Sequence, residues 1–144
     1  MKFYLGSLII LATFAATSPA VSDDLIAVCL NKYKALESRF ELYNEKSAAV
    51  NGVMDRINTY AKADVDITTI KIQDARAWRS ALEQTVSVGQ VMLQNYMEYN
   101  VTCSSGAVQK KQIAALTEKL TVDLRIARAR INALDTGFPI SSFR

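Results

Sequence analysis

Between residues 26 and 61, apolar side chains recur in steps of three and four: Ile26, Cys29, Tyr33, Leu36, Phe40, Tyr43, Ser47, Val50, Met54, Ile57 and Ala61. Only Ser47 interrupts the series. Spacing of this kind over about five heptads specifies one long helix with a narrow apolar seam, and such a seam has to be covered by another helix. A helix over residues 24–62 is about 58 Å long at the helical rise, so its cover must be long too. The chain has 144 residues, the size of one domain. The cover therefore comes from the remainder of the same chain or from a second copy, since a heptad seam pairs between chains as well as within one.

The remainder supplies it. Residues 63–69 (Ala-Asp-Val-Asp-Ile-Thr-Thr) break the pattern, because β-branched residues and short acids disfavour helix; Asp66 or Thr68 is placed to cap the next helix. A second helix is expected over 69–100, with Ala75, Trp78, Leu82, Thr85, Gly89, Met92, Tyr96 and Tyr99 on one face. After a short connection with Ser104 and Ser105 as candidate caps, a third is expected over 105–135. Its face carries Ile113, Leu116, Leu120, Leu124, Ala127, Ile131 and Leu134. Gly137 suits the left-handed position after a helix, Phe138 can pack back, and Pro139 forbids continuation.

Folding the first helix on the second about Asp66 pairs residues whose numbers add to about 132 (an alignment read from the pattern). Cys29 then meets Cys103, Tyr33 meets Tyr99, Leu36 meets Tyr96 and Phe40 meets Met92. Tyr43 meets Gly89, Ser47 meets Thr85, Val50 meets Leu82, Met54 meets Trp78 and Ile57 meets Ala75. Returning the third helix sets Leu120 beside Gly89, Leu124 beside Thr85, Ala127 beside Leu82, Ile131 beside Trp78 and Leu134 beside Ala75. The small positions, Gly89, Ala75 and Ala127, each meet large ones. The fold expected is all-α, an up-down-up antiparallel three-helix bundle of long coiled-coil-like helices over residues 23–136, with a tail over 137–144.

Residues 1–22 read as a secretory signal peptide: Lys2, an apolar run over 3–16, then small residues up to Ser22. The run is too short, and too soon followed by Pro19, to span a bilayer. An exported chain, secreted or periplasmic, permits a disulfide. The register places Cys29 and Cys103 level, closing a loop of about 75 residues worth roughly 4–5 kcal/mol in the chain-entropy treatment. The formal charge is +3, and +2 without Lys2; that balance is too mild to imply nucleic acid.

The chain has no histidine, which removes the commonest general base and transition-metal ligand. With both cysteines bridged, thiolate chemistry goes as well. No catalytic set and no cofactor site is expected. Residues 64–68 (Asp-Val-Asp-Ile-Thr) share the letters of the aspartate motif of haloacid-dehalogenase-type phosphatases. That chemistry needs a buried strand, so a helix-turn cap is the better reading, with weak Ca²⁺ binding by the two carboxylates as the rival. Arg125, Arg128 and Arg130 read as a solvated face, although an anionic partner surface is the alternative. Tyr33, Tyr96, Tyr99, Trp78, Met54 and Met92 read as core, or else as the lining of an apolar ligand pocket.

At the bend, Val65, Ile67, Ile70 and Ile72 are expected to meet Phe138, Ile140 and Phe143, either as a plug or as an exposed patch for a protein partner. Asn100 heads an acceptor tripeptide for glycosylation. These features favour an exported, non-enzymatic helical interaction protein: an adaptor, an inhibitor or neutralising protein, or a component of a surface assembly. The alternative is a carrier of a small apolar ligand or lipid between the helices.

Overall fold

The computed structural model describes residues 22–61, 69–104 and 106–138. Over these it has three helices, α1 (Asp23–Ala61), α2 (Ile72–Cys103) and α3 (Ala107–Gly137), and among the described residues no strand. α2 packs against both α1 and α3, which makes an antiparallel three-helix bundle. The signal peptide expected over 1–22 lies outside the described residues except for Ser22, as do the Asp64 to Thr68 turn and all of the tail beyond Phe138.

The seam folds inward as its spacing demands. Cys29, Leu36, Tyr43, Ser47, Val50 and Ile57 are buried, while Glu37, Glu41 and Glu45 face water. All eight apolar-face positions of α2 are buried. Ile113, Leu120, Leu124, Ala127 and Leu134 are buried on α3, with Leu116 and Ile131 half-covered. Two clusters share this core. One near the bend centres on Ile57, Ala75, Trp78, Leu82 and Leu134; one toward the other end centres on Leu36, Tyr43, Met92, Tyr96 and Ile113. Each large aliphatic side chain removed from water there contributes about 1.5–3 kcal/mol. Arg79 adds a polar clamp between α2 and α3: its Nε lies 2.7 Å from Asp135 Oδ1, and Nη1 lies 2.7 Å from Glu83 Oε1.

The helix ends depart from expectation. α2 begins at Ile72, not at 69, and neither Asp66 nor Thr68 stands at its N-cap, which is Lys71 with no side-chain cap. The start is held from across the bend instead. The Lys71 backbone N–H donates to the Tyr60 hydroxyl at 3.2 Å, and that hydroxyl donates to Asp74 Oδ2 at 3.2 Å. Asp74 sits in the first turn, where a carboxylate complements the exposed N–H groups. α2 runs on to Cys103, so Ser104 follows it rather than capping α3, whose N-cap is Gly106. Gly137 is the last helical residue and not a left-handed cap; the chain turns extended at Phe138, which does pack back on the core.

The first seam position also fails to close. Ile26 remains 42% exposed, because its level on the neighbouring helix falls at Gly106, in the connection, where there is no side chain to cover it.

Candidate functional site

At the bend end, the surface expected to take a partner is partly spent on the core. Ile70 is buried and Phe138 is half-buried against the same cluster as Trp78 and Leu134. These two residues plug the bundle. Val65, Ile67, Ile140 and Phe143 lie outside the described residues.

The opposite end is built differently. Cys29 and Cys103 are disulfide-bonded with their Cα atoms 5.5 Å apart, so the start of α1 and the end of α2 are fastened together. Around that bridge, apolar side chains point into water: Leu25, Val28 and Leu30 on α1, Met97 and Val101 on α2, and Val108 on α3. Val101 is 88% exposed and Val108 72%, the highest values among the exposed large apolar residues described. They stand off the seam, at positions the helical repeat turns outward. A reading of the sequence along its seam passes over them, although the signal is present as apolar residues in positions where a solvated helix carries charge.

A shallow groove lined by Lys32, Met97, Glu98, Val101 and Thr102 runs along this end. Lys32 Nζ lies 3.3 Å from Glu98 Oε2, and Gln94 donates to the other oxygen at 3.0 Å. These bonds, Gln94 first and then Lys32, hold the Glu98 carboxyl below its usual range. Other charges at this end are unspent. Asp23 and Asp24 open α1, Lys110 and Lys111 lie just inside α3, and none of the four makes an ion pair among the described residues.

The waist of the bundle is tightly filled. A Cβ on Gly89 would stand 2.5 Å from Leu124 Cδ2 and 2.8 Å from Tyr43 Cε2. Tyr43 therefore occupies the slot expected for it. From α3, however, the nearest atom belongs to Leu124 and not to Leu120, one turn earlier. Helical side chains lean toward their own N-terminus, so a ladder drawn through backbone levels misplaces the tip by up to a turn.

Tyr43 is fully buried. Burial pushes its hydroxyl up to about 12, helped by the Asp123 carboxylate, while the adjacent Ser47 hydroxyl pulls the other way. Those two oxygens nonetheless fall short of hydrogen-bond geometry, and neither has another partner among the described residues. Thr85, expected level with Ser47, donates to its own helix at Ala81 O (2.9 Å). Burial also raises the Asp123 carboxyl, against the pull of Lys119. Tyr96 is pushed to about 12 by burial alone. Tyr33, Tyr96, Tyr99, Trp78, Met54 and Met92 all belong to, or pack on, the two core clusters.

Among the described residues no three His, Cys, Asp or Glu side chains group as a metal site. Arg125, Arg128 and Arg130 are exposed, and Arg130 turns aside to lie 5.9 Å from the centre of the Trp78 ring. Asn100 sits in the last helical turns of α2, half-buried, with its Oδ1 covered and unbonded. Among the described residues no helix is long and apolar enough to cross a membrane, and the bridge fits an oxidising compartment. No family model matches the chain, and neither the curated proteins nor the solved structures give a significant match.

Proposed function

We propose that the chain is an exported, non-enzymatic interaction protein, secreted or periplasmic, that engages a protein through the disulfide end of its bundle. The observation that carries this reading is the gathering of exposed apolar side chains, with Val101 and Val108 foremost, around a covalently fastened helix end. Water-facing apolar residues concentrated in one region favour contact with another molecule. A rigid platform lowers the ordering cost of that contact.

The test is in-situ cross-linking of the exported chain in its native medium, compared with the triple variant Met97→Gln, Val101→Ser, Val108→Ser. The variant alters only exposed positions, so its helicity by circular dichroism should match the wild type. Wild-type protein should give discrete cross-linked products that the variant lacks. Identical products from both would overturn the reading.

A further inference from the structure

We infer that the molecule seated on the disulfide end is a second copy of this chain, paired about a two-fold axis; this rests on the reading of that end as the interaction surface. Charge set beside apolar surface is the ground for it. On α1, Asp24 and Val28 are one turn apart and share a face, with Leu25 between them on the same side. On α3, Val108 and Lys111, three residues apart, share a face, while Lys110 lies round the helix from them. One helix start thus presents apolar contact with negative charge, and the other presents apolar contact with positive charge.

An isologous interface needs a patch that complements itself. Laying the start of α1 from one copy on the start of α3 from the other sets Asp24 against Lys111, with Asp23 and Lys110 flanking the contact, and the symmetry repeats the match. Within one copy these charges stay unpaired among the described residues. The α3 start has a particular need for a partner's carboxylates: it has no acidic residue in its first turn and no side-chain cap, so its free N–H groups and two lysines add their positive charge. An anionic lipid surface fits less well, because Asp23 and Asp24 at the same end would repel it.

The closing experiment is sedimentation equilibrium of the exported chain from about 1 μM to about 1 mM, with two charge-swapped variants. Asp23→Lys with Asp24→Lys leaves both helix starts positive; Lys110→Glu with Lys111→Glu leaves both negative. The wild type should reach the dimer mass within this range, each variant alone should remain monomeric, and an equimolar mixture of the two should dimerise. Added salt should weaken the mixed dimer more than the wild type. A mixture that stays monomeric, or swaps that leave self-association unchanged, overturns the inference, and so does a wild type that stays monomeric while binding anionic vesicles. A monomeric wild type whose cross-links to other proteins vanish in the Met97, Val101, Val108 variant overturns self-pairing alone. Cross-links that survive that variant remove both readings.

Discussion

The ring of Tyr43 lies over the bare backbone of Gly89, its Cε2 only 2.8 Å from where a β-carbon would stand. Leu124 closes the same gap from α3, so one missing methyl lets three helices meet at the waist. Gly89→Ala should therefore destabilise the fold. The better helix propensity of alanine returns about 1 kcal/mol, but overpacking against a rigid ring costs about 1–3 kcal/mol. Gly52 supplies the control, since a β-carbon there meets nothing within 4 Å. Gly52→Ala should stabilise by up to about 1 kcal/mol. Urea denaturation of the two variants checks the opposite signs.

The Cys29–Cys103 bridge spans 74 positions in sequence. Opening it restores freedom to the unfolded chain, worth roughly 4–5 kcal/mol in the entropic treatment. Cys29→Ser with Cys103→Ser should lower the denaturation midpoint sharply while α-helical circular dichroism persists at low temperature. Intact mass should rise by two hydrogens when the bridged chain is reduced.

Tyr43 and Tyr96 make the bundle sensitive to alkali. Both hydroxyls are held near 12 in the folded chain, against 10 when exposed. Their contribution is complete below pH 10 and is lost as pH rises from there toward 12, because the unfolded chain releases those protons first. Stability should fall across that window. The double variant Tyr43→Phe, Tyr96→Phe should flatten the fall, as read from thermal midpoints at successive pH values.

Asp123 acts in the same direction, in a lower pH window. Its carboxyl is raised by burial, so the folded chain holds that proton more tightly and the ionised form weakens the fold at neutral pH. Asp123→Asn should raise the thermal midpoint at pH 7. The gain should disappear once pH falls below the ordinary carboxylate range, where the native side chain is protonated in both states.

The helix pairing is legible in the sequence because the heptad seam offers only one register in which the single polar position, the single seam glycine and the two cysteines all find sensible neighbours. Cys29 bonded to Cys103 and Tyr43 set on Gly89 both agree with it. The choice of Leu124 over Leu120 is not legible, because side-chain lean lies below the resolution of a residue ladder. The start of α2 escapes for a different reason: the Tyr60 hydroxyl holds Lys71 from another helix, and a local cap rule cannot see an acceptor eleven residues away. Apolar residues are dense in sequence at the bend and draw attention there as a candidate surface. Ile70 and Phe138 serve closure there, while Ile72 is exposed. The bridge end is hard to see because Val101 and Val108 are isolated in the chain and become neighbours of the other exposed apolar residues only once the helices return.

The cross-link encloses α2 and α1 from Cys29 onward in a single covalent ring, and α3 lies wholly outside it. Every residue beyond Cys103 gains its full conformational freedom on undocking, whereas the ringed pair does not. Partial opening should therefore begin with the third helix peeling away from a hairpin that stays joined, and amide exchange in α3 should outpace exchange in the two helices it covers.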